Sequence, residues 1–324
     1  MSLAPTDLWQ LESLTQNIPY FMLYGSKDGD VAGWKNHLRA NGTGLDVAGS
    51  GGFSLWDRAQ NNTQKSSVFV YGATHNGFIT DNHDYHDISV TLETPEIQRA
   101  VCEAYTNAFF RRHLRNEIEW DLLFQGDYKP VSIGTPKLYQ QFQNMDPSSK
   151  IVDDFTGSTT WVRNYSGTTG VLENIDQFSP HQSKGLIVDL TVQKNIEYSL
   201  PSANVLDVSG LSYFSFRITK IPVLPLSTYP DLSGLVIYIE DSLGIHEEIT
   251  VPKEIPDPDP RKNALVGSWT DEVALTKSAL ITIHIPLTDY TTSGVDLTKI
   301  KKIHFKFPST SSGKIALASI EFTN

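Results

Sequence analysis

Two short apolar runs, residues 20–24 and 67–71, constrain the fold of this chain more than any other feature. Each run ends at a glycine, and a side chain that can transfer a proton follows shortly after: Asp28 after the first run and His75 after the second. An unbroken apolar run suits a strand that is covered on both faces, as in a parallel sheet. The sequence therefore predicts two buried parallel strands whose C-terminal ends carry Asp28 and His75.

Helical patterns accompany these two runs. Residues 53–59 have helical character and separate the runs, which gives the strand–helix–strand order of a right-handed crossover. A second helix is predicted to begin with Thr94 as N-cap and Pro95 in the first helical position. We therefore predict an α/β portion of parallel strands and crossover helices. The second helix carries an apolar stripe suited to packing on a sheet: Ile97, Val101, Tyr105 and Phe109.

The chain changes character near residue 150, where short strand patterns and turn residues replace the helical patterns. Residues 145–150 have the composition of a linker, and we predict one domain over residues 1–147 and a second over residues 148–324. The second is predicted to be an all-β sandwich of the jelly-roll type. Its clearest strands are predicted at residues 185–192, 212–218, 235–239, 246–251, 279–285, 302–307 and 315–322.

The overall composition excludes several classes of partner and site. The 324 residues carry a formal net charge of −11, which disfavours nucleic acid and anionic membrane surfaces as partners. Cys102 is the single cysteine, so neither an intramolecular disulfide nor a cysteine-based zinc site is expected. No apolar run approaches the roughly 20 residues of a membrane-spanning helix.

Asp28 and His75 are the residue types that form two thirds of a hydrolytic triad. The carboxylate orients the imidazole, and the imidazole takes a proton from a serine nucleophile. Adjacent parallel strands bring their C-terminal ends together, so we expect the two side chains to meet. Taken singly, Asp28 is also compatible with a turn and His75 with an ordinary loop histidine. A glycine-rich segment, residues 48–52, contains Ser50, but it lies between acid and base, which is the wrong chain order for a nucleophile.

Two motifs resemble loops of a known family. Leu23-Tyr-Gly-Ser-Lys-Asp28 is similar to the acid loop of the α/β-hydrolases, and Val70-Tyr-Gly-Ala-Thr-His75 is similar to their histidine loop. Residues 19–114 thus resemble the C-terminal portion of such an enzyme, in the bacterial secreted esterase, lipase and cutinase-like branch. The resemblance implies Asp28 as the triad acid, with Asp30 as second choice, and His75 as the base. It also implies a carboxylic ester as substrate and no cofactor.

The resemblance implies that the α/β-hydrolase-like portion is incomplete. The family's serine lies in a Gly-x-Ser-x-Gly elbow on strands that precede the acid, and few residues precede Asp28 here. Three alternatives stay open: a C-terminal fragment of a larger hydrolase, a missing half supplied by another chain, or a vestigial triad. The exposed edge of an incomplete sheet favours a complementing N-terminal half or a homo-oligomer as partner.

The second domain resembles the galactose-binding-like jelly-roll modules attached to bacterial polysaccharide-active enzymes. The resemblance rests on residues 152–155, 213–218 and 315–322. It implies a structural calcium held by Asp153, Asp154 and Glu321. Carbohydrate binding needs aromatic rings that can stack on sugar faces, and burial in the core is the alternative for each such ring. The candidate rings are Trp161, Tyr165 and Trp269.

The sequence as a whole predicts an exported protein, secreted or periplasmic, that acts on an ester or polysaccharide-linked substrate. The leading hypothesis is part of a serine hydrolase that supplies the acid and the histidine. The alternative is a non-catalytic glycan-binding or structural module on a degenerate hydrolase scaffold. A separate hypothesis concerns residues 81–87, whose aspartates and histidines either bind a metal or form a solvated loop.

Overall fold

The computed structural model describes residues 1–3, 17–28, 52–59, 64–79, 93–144, 146–157, 159–172, 183–221, 229–261 and 275–324. The chain divides into two compact units. Unit 1 comprises Met1–Gln143, Glu173–Ser183 and Pro258–Ile281, and unit 2 comprises Asn144–Leu172, Lys184–Asp257 and Thr282–Asn324. The main division thus lies close to the predicted boundary at 147/148, and two later segments group with unit 1.

A four-stranded sheet forms the centre of unit 1 in the described part of the chain. Its order is β1-β2-β3-β4, and β2 is parallel to both β1 and β3. Every residue of β2 and β3 is buried, which explains why residues 20–24 and 68–70 are apolar without alternation, although the first four residues of β3 are polar. The predicted parallel pair is present. The strands are β1 (Ser2–Leu3), β2 (Tyr20–Gly25), β3 (Gln64–Val70) and β4 (Leu138–Asn144).

Three α-helices accompany this sheet among the described residues: α1 (Gly52–Arg58), α2 (Pro95–Arg115) and α3 (Asp121–Gln125). Helix α2 begins as predicted, since the Thr94 hydroxyl accepts a hydrogen bond from the Ile97 N–H at 3.3 Å. Phe21 of β2 is the centre of the core, with ring centroids 6.1 Å from Tyr105, 5.7 Å from Phe109 and 5.6 Å from Phe124. No described helix has the length and apolar character needed to cross a membrane.

Unit 2 is built around two antiparallel sheets. One has the order β15-β10-β17-β8-β7, with β5 also paired to β17, and the other has the order β12-β11-β16-β9-β6. A separate pair, β13–β14, lies in a segment of unit 1. The strands are β5 (Lys150–Asp153), β6 (Val162–Asn164), β7 (Thr168–Val171), β8 (Lys184–Asp189), β9 (Asn195–Ser199), β10 (Tyr213–Ile221), β11 (Val236–Asp241), β12 (His246–Thr250), β13 (Asp259–Arg261), β14 (Leu275–Lys277), β15 (Ile281–Pro286), β16 (Ile300–Lys306) and β17 (Lys314–Thr323).

The two sheets pack face to face through aromatic side chains. Phe305 of the five-stranded sheet contacts Phe214 and Phe216 of the six-stranded sheet, with ring centroids 6.1 and 5.0 Å apart. Tyr198 packs on Phe305 from the neighbouring strand at 6.5 Å. The chain passes repeatedly from one sheet to the other, as in a jelly roll. The predicted β-sandwich is confirmed.

One strand departs from its predicted exposure. The sequence of β15 alternates as cleanly as that of β16, which predicts one watered face for each. In β16 the polar residues are partly exposed, but Thr282 of β15 is buried and the His284 ring lies 5.7 Å from the Tyr213 ring. Burial lowers the pKa of His284 to about 3, and the Lys253 charge adds to this effect. The polar face of β15 is thus less solvated than predicted, since Thr282 is buried and His284 is only partly exposed.

We expect the free energy of unfolding to fall as pH decreases from about 6.5 towards 3, because His284 gains its proton in the unfolded chain first. His284 lowers the free energy of unfolding by at most about 2 kcal/mol between pH 7 and pH 5. The variant His284→Gln is expected to lose that part of the pH dependence. Urea unfolding at both pH values measures it, and an unchanged difference in the variant would contradict the assignment.

Candidate functional site

The structure brings Asp28 and His75 together at one edge of the unit 1 sheet. Asp28 follows β2 and His75 follows β3, and the His75 Nδ1 lies 2.9 Å from the Asp28 Oδ2. The Asp28 carboxylate is fully buried, whereas the His75 side chain is 30% exposed. Because a carboxylate only accepts, this contact is a hydrogen bond that the ring Nδ1–H donates. The two residues that the sequence selected are in direct contact.

Backbone hydrogen bonds tie the acid loop to the histidine loop. The Ser26 N–H donates to the Val70 carbonyl and the Lys27 N–H donates to the Ala73 carbonyl, each at 2.9 Å. The Ser26 hydroxyl accepts from the Gly72 N–H at 2.7 Å. Ser26 is fully buried, so its hydroxyl supports the two loops and does not present a nucleophile.

Gly25 permits this close approach of the loops. A Cβ atom at this position would lie 2.3 Å from the Ala73 carbonyl oxygen, a distance that no side chain tolerates. The glycine that ends the first apolar run is therefore required by packing against the histidine loop. After His75, residues Asn76–Phe78 form a 3-10 turn that places Phe78 in the core and fixes the far side of the loop.

The pair has the geometry of an orienting acid and a base. Asp28 holds the ring with Nδ1 protonated, which leaves Nε2 as the nitrogen that takes a proton from a nucleophile. The alternative acid Asp30, Ser50 and the metal hypothesis for residues 81–87 all lie outside the described residues. The geometry therefore supplies an acid–base pair, and the catalytic role of Asp28 and His75 stays a prediction.

The three acids predicted to hold calcium have other contacts. Asp153 is buried and forms a two-point ion pair with Arg163, at 2.7 Å to Nε and 2.5 Å to Nη2. Asp154 is exposed and accepts hydrogen bonds from the Thr156 N–H and hydroxyl. Burial raises the pKa of Glu321 to about 7, against the opposite effect of Arg217.

Of these contacts, the one with Arg163 places an opposite charge directly beside Asp153. The described residues contain no group of three or more histidine, cysteine, aspartate or glutamate side chains arranged to hold a metal ion. Asp153 already has a cationic partner in Arg163, and a bidentate guanidinium pair satisfies the carboxylate that the resemblance assigns to calcium. The calcium site at Asp153, Asp154 and Glu321 stays a prediction.

Two of the three aromatic residues selected from the sequence lie within the described residues, and both pack against other parts of unit 2. Trp161 is only 5% exposed, so the core alternative is correct for this residue. The Tyr165 ring packs on the Tyr198 ring at 5.7 Å, and its hydroxyl lies 3.5 Å from the Asp153 carboxylate. Trp269 lies outside the described residues.

A different aromatic cluster lies on the outward face of the five-stranded sheet. The Tyr238 ring stacks on the His304 ring, with centroids 4.4 Å apart and an interplanar angle of 28°. The His246 ring meets the Tyr238 ring edge-on, with centroids 4.4 Å apart. The Lys306 ammonium lies 5.1 Å from the centroid of the Tyr238 ring. Burial of the ring and the hydrogen bond to Glu240 raise the pKa of Tyr238. These rings form a continuous aromatic surface.

Charged side chains of both signs surround this cluster. Lys302 contacts Glu240 at 2.9 Å, and His304 lies 3.4 Å from Glu197. Glu240 also accepts a hydrogen bond from the Tyr238 hydroxyl. Burial raises the pKa of Glu240, but the hydrogen bonds from Tyr238 and Lys302 outweigh this effect and lower it. We call this surface the Tyr238 face. It comprises Glu197, Tyr238, Glu240, His246, Glu248, Lys302, His304 and Lys306.

Sequence reasoning missed the Tyr238 face, although one signal was present. The alternation in residues 303–307 marks His304 and Lys306 as outward-facing. The cross-strand register that sets Tyr238 opposite His304 depends on pairing between β11 and β16, which are distant in sequence. Periodicity assigns each residue to a face of its own strand but does not reveal which strands are neighbours.

Comparisons with known proteins give weak structural similarity. The chain matches no protein-family profile and no curated relative. Among solved structures, a family 11 carbohydrate-binding module of a cellulosomal cellulase of Clostridium thermocellum aligns with TM-score 0.32 and 17% identity, covering 55% of this chain and 95% of that chain. A family 30 carbohydrate-binding module from a cellulosomal cellulase of the same organism aligns with TM-score 0.32 and 16% identity, covering 54% and 97%.

A third structure, the K2 cleaved adhesin domain of Lys-gingipain, aligns with TM-score 0.31 and 14% identity, covering 55% of this chain and 99% of that chain. All three TM-scores lie below the level at which similarity defines a fold, so the alignments assign no function. None of these three structures is an α/β-hydrolase. The hydrolase resemblance rests on the residues of unit 1.

We expect Gly25→Ala to lower the free energy of unfolding by about 1–3 kcal/mol, because the added methyl group overlaps the Ala73 carbonyl. Chemical denaturation measures the change. Gly210→Ala is the matched control, since a Cβ at Gly210 meets nothing within 4 Å. Equal stability of the two variants would show that the loops are not in close contact.

We expect Arg163→Met to lower the free energy of unfolding by about 3–5 kcal/mol, because the buried Asp153 carboxylate loses its cationic partner. The double variant Asp153→Asn with Arg163→Met removes the stranded charge and is expected to recover part of the loss. Denaturation of the single and double variants at pH 7 tests both statements. A double variant less stable than Arg163→Met would contradict this account of Asp153.

Proposed function

We propose that unit 2 binds carbohydrate on the Tyr238 face. The observation that carries this proposal is the stacked pair of Tyr238 and His304, 4.4 Å apart on the outward side of a sheet. Sugar rings present apolar C–H faces that stack on flat aromatic surfaces, and tyrosine keeps a polar hydroxyl beside the contact. The stacked pair therefore offers an apolar contact on the outer side of the sheet, bordered by the polar side chains of the Tyr238 face.

The surrounding side chains suit a neutral polyhydroxylated ligand. Carboxylates accept hydrogen bonds from hydroxyl groups, and ammonium groups donate to hydroxyl oxygens. Glu240 is paired with Lys302 and Glu248 with Lys306, so the acids are largely balanced within the face. A face that is balanced in this way favours neutral glycans over uronates or sulfated chains.

The sheet is wide enough for more than one sugar residue. Its five strands, spaced about 4.8 Å apart, span roughly 19 Å across the strands. The Tyr238 platform lies on β11, and the face continues through β16 to Glu197 on β9. We therefore expect oligosaccharides to bind more tightly than monosaccharides.

We expect Tyr238→Ala to weaken glycan binding at least about tenfold, since the platform is lost. A panel of neutral and acidic oligosaccharides, followed by isothermal titration calorimetry on those that bind, measures the effect. Tyr238→Phe keeps the ring and is expected to retain most of the affinity. Tyr128→Ala, an exposed tyrosine in unit 1, is the control. Unchanged binding by Tyr238→Ala, or no binding by the unmodified protein, would contradict the proposal.

A second function, carboxylic ester hydrolysis, is favoured by the hydrogen bond between Asp28 and His75 at 2.9 Å. In this proposal Asp28 orients the imidazole, and His75 acts as base towards a serine and then as acid towards the leaving group. The serine belongs to a complementing segment or chain, as the resemblance to the α/β-hydrolases implies. Export to the cell exterior, where polysaccharide-linked esters occur, is part of the same proposal.

A fluorophosphonate probe, which labels reactive serines, tests the hydrolase function. The probe is applied to the protein together with any chain that copurifies with it. We expect one serine to be labelled, because the Asp28–His75 pair activates it. The label is expected to disappear in His75→Ala and to decrease in Asp28→Asn, with Tyr128→Ala as an unaffected control. Failure to label any serine, or a label that survives in His75→Ala, would contradict the proposal.

A further inference from the structure

A buried amide stands in the first turns of α2, on the face that otherwise packs apolar side chains into the core. Gln98 is only 1% exposed and shares this face with Val101 and Tyr105. Burial of an amide is unfavourable unless its donors and acceptor are hydrogen-bonded. The partners of this side chain therefore show what it stabilises.

Both ends of the Gln98 amide bind the histidine loop or the segment beside it. The Oε1 accepts a hydrogen bond from the Thr74 N–H at 3.2 Å, and the Nε2 donates to the Glu93 carbonyl at 2.8 Å. The Glu93 N–H in turn donates to the Gly72 carbonyl at 2.9 Å. Gln98 thus closes a ring of hydrogen bonds around the backbone that immediately precedes His75.

The loop is also shaped to fit the amide. A Cβ at Gly77 would lie 2.1 Å from the Gln98 Oε1, so the chain after His75 passes directly over this oxygen. On the opposite side, the Ala73 carbonyl accepts from the Lys27 N–H of the acid loop. The backbone on either side of His75 is therefore held between the acid loop and Gln98.

We propose that Gln98 is the positioning residue for His75, holding its backbone so that Nδ1 meets the Asp28 carboxylate. This inference rests on the second proposed function, in which Asp28 and His75 form an acid–base pair. Gln98 makes no contact with the imidazole itself in the hydrogen bonds described above, so it acts through the loop. A residue that only fills space in the core would leave the Asp28–His75 hydrogen bond unchanged when it is replaced by another side chain of similar size.

The test observes the His75 Nδ1 proton directly by NMR on protein with ¹⁵N-labelled histidine. The wild-type resonance is assigned by its loss in His75→Ala and in Asp28→Asn. In Gln98→Leu, which keeps the volume but removes both hydrogen bonds, we expect exchange of this proton with water to accelerate about tenfold or more. Gln98→Met serves the same purpose should the leucine variant not fold.

Two controls separate positioning from general stability. Tyr105→Phe removes a buried hydroxyl that donates to the Leu123 carbonyl from the same helix face, and it is expected to leave the His75 exchange rate unchanged. Gln98→Glu keeps an oxygen that accepts from the Thr74 N–H, and it is expected to retain the resonance with slower exchange than Gln98→Leu.

The outcomes distinguish this inference from the function on which it rests. A wild-type protein without a protected Nδ1 proton, or with one that persists in Asp28→Asn, would overturn the acid–base pair itself. A protected proton that exchanges at the same rate in Gln98→Leu would overturn the role of Gln98 and leave the pair intact. Equal acceleration in Tyr105→Phe would also overturn it, since the effect would then follow stability alone.

Discussion

The parallel pairing of β2 with β3 is the constraint on which the site in unit 1 depends. Its register sets Gly25 opposite Val70, so the loops that follow β2 and β3 leave the sheet at the same end of the two strands. Apolar residues hold the strands in the core, and the absence of a side chain at Gly25 lets the two loops approach within hydrogen-bonding distance. Burial of the strands thus determines where the polar residues after them meet.

The same relation between core and surface organises the sandwich of unit 2. Phe305 packs against Phe214 and Phe216 between the sheets, which fixes the orientation of β16. Because successive side chains of a strand point to opposite faces, His304 must then face outward, where it stacks on Tyr238. The aromatic face on the outside is therefore a consequence of the aromatic core on the inside.

Local pattern was sufficient for β2, for the start of α2 and for the contact between Asp28 and His75, because chain order and strand direction determine that contact. Features that depend on distant partners could not be predicted. Periodicity did not distinguish β15, whose Thr282 is buried, from β16, whose polar residues face water. Nor did it indicate that Asp153 forms an ion pair with Arg163, since a buried carboxylate can be paired with either a metal ion or a guanidinium.

The two buried carboxylates, Asp28 and Asp153, have different partners. Asp153 is paired with a guanidinium, which keeps its proton at every physiological pH and therefore contributes only a fixed charge. Asp28 is paired with an imidazole, and the His75 side chain is 30% exposed. A neutral imidazole still stabilises a buried carboxylate through the hydrogen bond that its Nδ1–H donates, at 2.9 Å here. The pair of Asp153 and Arg163 is therefore explained by folding, whereas a role of His75 in proton transfer beside Asp28 stays a prediction.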